Sequence, residues 1–194
     1  MFYRQPRRDR ATAASAVEQD SGNESPEDTL NRIYLQLRDE LASELLDRIK
    51  AAPPDFFEKL VVDLMIRMGY GGSREDAGKT VGRSGDGGID GVINEDRLGL
   101  DVIYLQAKRW EGTVGRPVVQ GFVGSLAGKR ANKGVLITTS KFSKDAREYV
   151  QQIGAKIVLI DGETLGNLMI QHGLAVTTAA SYDVKRIDSD YFNE

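Results

Sequence analysis

The chain has 194 residues, 40% of them apolar and 28% charged, enough for one α/β domain with a full core and some extra segments but not for a second complete domain. It holds no cysteine and one histidine, His172, which leaves Cys/His zinc sites, thiol nucleophiles and Ser/His/Asp triads without support, so any chemistry rests on carboxylates, lysine and metal. The net charge of -3 does not exclude a nucleic-acid ligand, because residues 18–63 carry twelve acids and five bases while residues 104–147 carry nine bases and two acids, a local +7. That second segment reads either as a phosphate-binding face or as an ordinary solvated one.

Residues 1–27 mix Arg, Ala, Ser, Gln and Gly without an apolar period and read as a disordered tail or a linker remnant. Their Arg-rich start faintly resembles a transit peptide, but Asp9, Glu18 and Asp20 argue against one. No apolar run approaches the ~20 residues that cross a bilayer and no signal-peptide core opens the chain, so a soluble cytoplasmic protein without a membrane partner is expected.

Ser25, Pro26, Glu27 and Asp28 spell a helix start: a capping hydroxyl, a proline tolerated in the first turn, and acids near the positive end of the helix. Leu30, Ile33, Leu37, Leu41, Leu45 and Ile49 then recur every three or four residues, which predicts a long amphipathic helix to about Lys50. Pro53 and Pro54 interrupt it, and a second helix is expected from about Asp55 to Met68. After Gly69 the chain is glycine-rich, with a short strand expected near 78–84, another from Ile89 to Ile93, a turn at Asn94 to Arg97, and a clearer strand from Asp101 to Lys108. Pro117 opens a helix carrying Val119, Phe122, Val123 and Leu126; a strand from Val135 to Thr139, a helix from Ser143 to Gln152, a strand from Ile157 to Ile160 and a helix from Glu163 to Gln171 complete the series. Such an order predicts an α/β fold with a central mixed sheet flanked by helices, preceded by a long helix.

The stretch GDGGIDG at 85–91 sets Asp86 and Asp90 among residues that permit tight turns, and Asp90 enters a strand. A carboxylate held at a loop-to-strand junction suits Mg²⁺, although the stretch alone also reads as a plain turn or as one copy of a calcium-binding nonapeptide repeat. A calcium-binding structural protein would need a second copy, and the sequence has none. On the strand ending at Lys108, alternation puts Val102, Tyr104, Gln106 and Lys108 on one face. An amide and an ammonium that emerge together from a core strand need partners, unless the strand has simply reached the surface. On the second helix, Glu58 falls between Met65 and Val62 inside an arc of apolar residues. A carboxylate there is neutral, paired or bound to metal, or else it sits at a boundary and reaches solvent or Lys59.

Glu58 on the first helix of the domain, Asp90 in GDGGIDG and the QAK at 106–108 resemble the restriction-endonuclease-like PD-(D/E)xK superfamily, in the variant where Gln replaces the second acid. FFEKLVVDLMIRMGYGG, VGRSGDGGIDGVI, YLQAKRW and GVLITTSKFSKDAREYV further resemble the catalytic domain of the Mrr family of type IV restriction endonucleases, over about residues 28–194. The resemblance implies a restriction-endonuclease-like catalytic domain over 28–194, with residues 28–50 as a linker helix. It implies a Mg²⁺-dependent endonuclease of double-stranded DNA, with Mn²⁺ able to substitute, directed to methylated adenine or cytosine and working as a homo-oligomer. In that scheme Asp90, Gln106 and Glu58 hold the metal, with Lys108 completing the catalytic set by orienting water or stabilising phosphorane charge. Gln120 is a further contributor. Thr138, Thr139, Ser140 and Lys141, which end a strand with hydroxyls and a cation, are candidate DNA contacts, although a simple turn explains them equally. The family's N-terminal winged-helix DNA reader is expected to be absent from these 194 residues, since fewer than 28 precede the resemblance. A module that keeps the fold and binds nucleic acid without cutting it is the alternative.

Overall fold

The computed structural model describes residues 24–71, 88–96 and 98–193; the strand expected near 78–84, Asp86, and most of the expected tail lie outside them. The chain divides into two units, Met1–Leu37 and Arg38–Glu194. Of the first, the described part is chiefly the N-terminal half of helix α1, Pro26–Ala51. That helix starts as its sequence requires: Ser25 Oγ accepts from the Asp28 backbone N–H at 3.1 Å and donates to the Asp28 carboxylate at 2.7 Å. Leu30, Ile33, Leu37 and Leu41 of its apolar stripe are exposed, and its buried residues are Ala42, Leu45 and Ile49, all in the second unit.

The second unit holds a four-stranded sheet of β1 (Gly91–Asn94), β2 (Val102–Lys108), β3 (Lys133–Thr138) and β4 (Lys156–Ile160), ordered β1-β2-β3-β4. β1 runs antiparallel to β2, and β2, β3 and β4 are parallel. The antiparallel pair is joined by a short turn in which the Asp96 carboxylate accepts from the N–H groups of Leu98, Leu100 and Asp101. The parallel pairs need crossovers, supplied by α3 (Arg116–Gly128) and α4 (Lys144–Gln152). Before the sheet comes α2 (Pro54–Arg67), and after it α5 (Gly162–Gln171).

Burial sorts the helices onto two faces. Phe57, Leu60, Leu64 and Met65 of α2, Leu45 and Ile49 of α1, and Leu165 and Met169 of α5 pack with Ile93, Ile103, Leu105 and Ile137. On the other face, Val119, Phe122 and Leu126 of α3 and Ala146 of α4 pack with Leu136 and Tyr104. Gly134 on β3 is needed there, because a methyl group on it would stand 2.6 Å from the Phe122 ring. The expected mixed sheet between helices is thus present, with strand ends displaced by one or two residues. Among the described residues no helix is long and apolar enough to cross a membrane.

Candidate active site

Asp90 lies one residue before β1, and its N–H donates to the carbonyl of Leu105, the residue paired with Gly91, at 2.9 Å, which holds Asp90 against β2 beside Gln106 at the point where the regular ladder ends. Its Oδ2 accepts from the Ala107 N–H at 2.7 Å, which fixes the carboxylate across the neighbouring strand. Gln106 is only 5% exposed. Its Nε2 donates to the Gly88 carbonyl, and its Oε1 is buried without a hydrogen-bond partner among the described residues. Gly88 makes that contact possible twice over: its φ is +83°, and a Cβ on it would stand 2.6 Å from Gln106 Nε2. Lys108 follows two residues later on the same strand face, as alternation requires.

Glu58, in the first turns of α2, is half-buried and close enough to feel both Asp90 and Lys108. Burial pushes its carboxyl above the usual range, the charges of Asp90 and Asp55 push it further, and Lys108 pulls it back. Asp90 is also raised, by burial, against the opposing pull of the Ala107 N–H and Lys108. Of the sequence-derived set, then, Glu58, Asp90, Gln106 and Lys108 are brought into one neighbourhood. Two crowded carboxylates and a buried carbonyl oxygen that lacks a donor make a hard-oxygen set of the kind that Mg²⁺ or Mn²⁺ accepts. Among the described residues no three His, Cys, Asp or Glu side chains form a metal cluster, so the Gln106 amide is the third donor that such a cation would require.

The remaining candidates separate. Thr138 is fully buried and donates its hydroxyl to the Lys108 carbonyl at 2.8 Å; Thr139, also buried, donates to the Trp110 carbonyl at 2.9 Å. Both hydroxyls thus hold the chain that leaves β2, which favours the plain-turn reading of this segment over direct contact with DNA. Ser140 Oγ likewise donates to the Glu111 carbonyl at 3.1 Å, while Lys141 is exposed. Gln120 is exposed on α3, and among the described residues no hydrogen bond joins it to Asp90, Gln106 or Lys108.

Three contributors escaped the sequence. The Ala107 N–H and the Gly88 carbonyl are backbone groups, invisible to a search for chemical side chains, although the glycine run at 85–88 signalled an unusual turn. Arg109, which reads as the start of a charged loop, donates Nη1 to the carbonyls of Lys50 and Ala52 and so ties the end of β2 to the corner between α1 and α2.

Residues 49–169, more than half of the chain, match the Mrr_cat restriction endonuclease family. The chain is 46% identical over 180 residues to the type IV methyl-directed restriction enzyme EcoKMrr of Escherichia coli (strain K12), an alignment that covers 93% of this chain and 58% of that enzyme. It resembles the solved structure of the DNA modification-dependent restriction endonuclease AspBHI with a TM-score of 0.53 and 22% identity, over 70% of this chain and 36% of that one, a likeness of fold. With the family matched across the sheet and the helices that carry Glu58, Asp90, Gln106 and Lys108, this chain belongs to the Mrr-type restriction endonuclease catalytic-domain family.

Proposed function

We infer that the chain is a DNA endonuclease that hydrolyses phosphodiester bonds of double-stranded DNA with a divalent cation, Mg²⁺ or in its place Mn²⁺, and that its DNA carries methylated bases. The observation that carries this reading is Gln106: with Nε2 tied to Gly88, the oxygen Oε1 is buried without a donor among the described residues, one position before the Ala107 N–H that holds Asp90 and on the face of Lys108. A cation satisfies that oxygen and relieves the crowding of Asp90 and Glu58 at one stroke. The preference for methylated DNA is drawn from the methyl-directed relative, of which the chain spans 58%.

In this mechanism Asp90, Gln106 and Glu58 hold the cation, which when bound supplies charge neutralisation at the phosphate and lowers the pKa of water. The Ala107 N–H keeps Asp90 aimed, and the Gly88 carbonyl keeps the Gln106 amide from turning. Lys108 holds the attacking water or balances the growing negative charge on the non-bridging phosphate oxygens. Exposed Gln120 and Lys141, with Ser140, contact the DNA backbone. Residues 28–194 act as the catalytic domain, with 28–50 as its linker helix and 1–27 as a linker remnant. Cutting both strands calls for two such sites, and the exposed Leu30, Ile33 and Leu37 of α1 offer an apolar stripe for self-association.

Nicking of supercoiled plasmid, methylated and unmethylated, is the test. Cleavage that requires Mg²⁺ or Mn²⁺ and vanishes in Asp90→Ala and Lys108→Ala, while DNA binding persists, is expected. Binding without cutting on any plasmid with either cation would replace this reading with the inactive binding module.

A further inference from the structure

We propose that Trp110 and the recess beside it form a subsite for one unstacked nucleotide of the bound DNA, its base lying against the indole; this rests on the nuclease reading above. Trp110 is the only tryptophan of the chain, lies two residues past Lys108, and is 44% exposed. An indole in that position is either held for contact or left to move, and the backbone around it decides which. Arg109 is anchored to the Lys50 and Ala52 carbonyls, the Trp110 N–H to the Lys108 carbonyl at 3.1 Å, the Trp110 carbonyl to Thr139 Oγ1, and the Glu111 carbonyl to Ser140 Oγ. Val114 then donates to the Lys141 carbonyl at 2.8 Å and closes the segment. The hydroxyls of Thr138, Thr139 and Ser140 at the end of β3 therefore serve to fix the loop that carries the indole, and its ordering entropy is lost on folding rather than on binding.

The recess has a volume of about 430 Å³ and is lined by Lys50, Arg109, Trp110, Glu111, Gly112 and Thr139. Its chemistry is that of a nucleotide: an aromatic wall for a base, two cations for a phosphate, and one carboxylate for the amino or imino donors of a base edge. The same mixture suits an apolar peptide poorly, because Lys50, Arg109 and Glu111 would lose water to it and gain no polar contact in return. A base within a duplex has both faces covered by its neighbours, so the indole gains a stacking partner only from a base that has left the stack.

Because Trp110 is the sole indole, its emission reports the subsite directly. The full chain, in EDTA so that no cleavage occurs, is titrated with three duplexes that differ at one position: fully paired, carrying a one-base bulge, and carrying an abasic bulge. Binding is followed in parallel by the anisotropy of labelled DNA. Quenching with the base bulge, and little with the paired or abasic duplex, is expected. Trp110→Ala is expected to weaken binding of the base-bulged duplex by about ten-fold while leaving the abasic one unchanged, and Trp110→Phe to retain most of the affinity. Binding of all three duplexes with equal quenching, or with none, would overturn the subsite and leave the nuclease reading standing; this measurement needs no variant to fold. Binding of none of them would overturn the subsite, and the plasmid-nicking test would then decide the nuclease reading separately.

Discussion

At the scale of single residues, the site depends on backbone as much as on side chains. Gly88 combines a positive φ with a close approach to Gln106, and its replacement by alanine meets both penalties. Gly88→Ala is expected to cost about 1–2 kcal/mol in a denaturant melt and, by displacing the Gln106 amide, to lower cleavage at least ten-fold. Asp90 shows the opposite balance. Its carboxyl is raised by burial, and that of Glu58 by burial and by the charges of Asp90 and Asp55, so in the metal-free protein the ionised groups are a cost that is present above the raised values and absent below the ordinary carboxylate range. Asp90→Asn keeps an oxygen for the Ala107 N–H but removes the charge. Its Tm in EDTA at neutral pH is expected to lie above that of the parent, the gain fading on acidification, while the rise in Tm on adding Mg²⁺ disappears. A variant with a lower Tm in EDTA would show that Asp90 is not held at a cost.

Elements were legible in the sequence where local chemistry and periodicity agreed. Ser25 and Pro26 marked the start of α1, Pro53 and Pro54 the break before α2, which begins one residue earlier than expected, and the alternation of β2 put Gln106 and Lys108 on one face. Glu58 stood out in its helical arc of apolar residues, where a boundary position was the equal alternative, and the structure sets it half-buried within reach of the charges of Asp90 and Lys108. What was not legible depended on contacts distant in sequence: Thr138 and Thr139 fit a DNA contact and a simple turn equally, and their bonds to the Lys108 and Trp110 carbonyls depend on how β3 meets the chain leaving β2. The other helix starts follow the same physics and give a test. Asp161 caps α5, accepting from the Thr164 N–H at 3.0 Å and its hydroxyl at 2.7 Å, and pairs with Arg147. Burial alone would raise its carboxyl, but Thr164 and Arg147 outweigh burial and hold it below the ordinary value. A depressed folded pKa gives stabilisation that is fully present above the unfolded value and is lost as pH falls through the folded one. Asp161→Ala is therefore expected to cost about 1 kcal/mol at pH 7, and the difference in Tm from the parent should shrink in acid. A difference independent of pH would assign the loss to packing instead of charge.

For the whole molecule, the decisive feature is where α1 stops being part of the core. Its apolar spacing is continuous from Leu30 to Ile49, yet only Ala42, Leu45 and Ile49 are buried, and the boundary between the two units falls at Leu37. Gly166 explains why burial is tight at the far end, since its bare backbone lets α5 approach so closely that a methyl group there would stand 2.9 Å from Ala42 Cβ. Upstream, Leu30, Ile33 and Leu37 are exposed, and Arg38–Glu194 is a compact unit by itself. Deleting residues 1–37 is accordingly expected to leave the Tm within a few degrees and Mg²⁺-dependent nicking intact. If the upstream stripe joins two copies, the same deletion lowers the mass seen by sedimentation and converts double-strand cutting to single nicks, because one active site reaches one strand. Retention of both the parent mass and double-strand cutting would remove α1 from the assembly, whereas a large loss of Tm would mean that residues before Arg38 stabilise the catalytic fold.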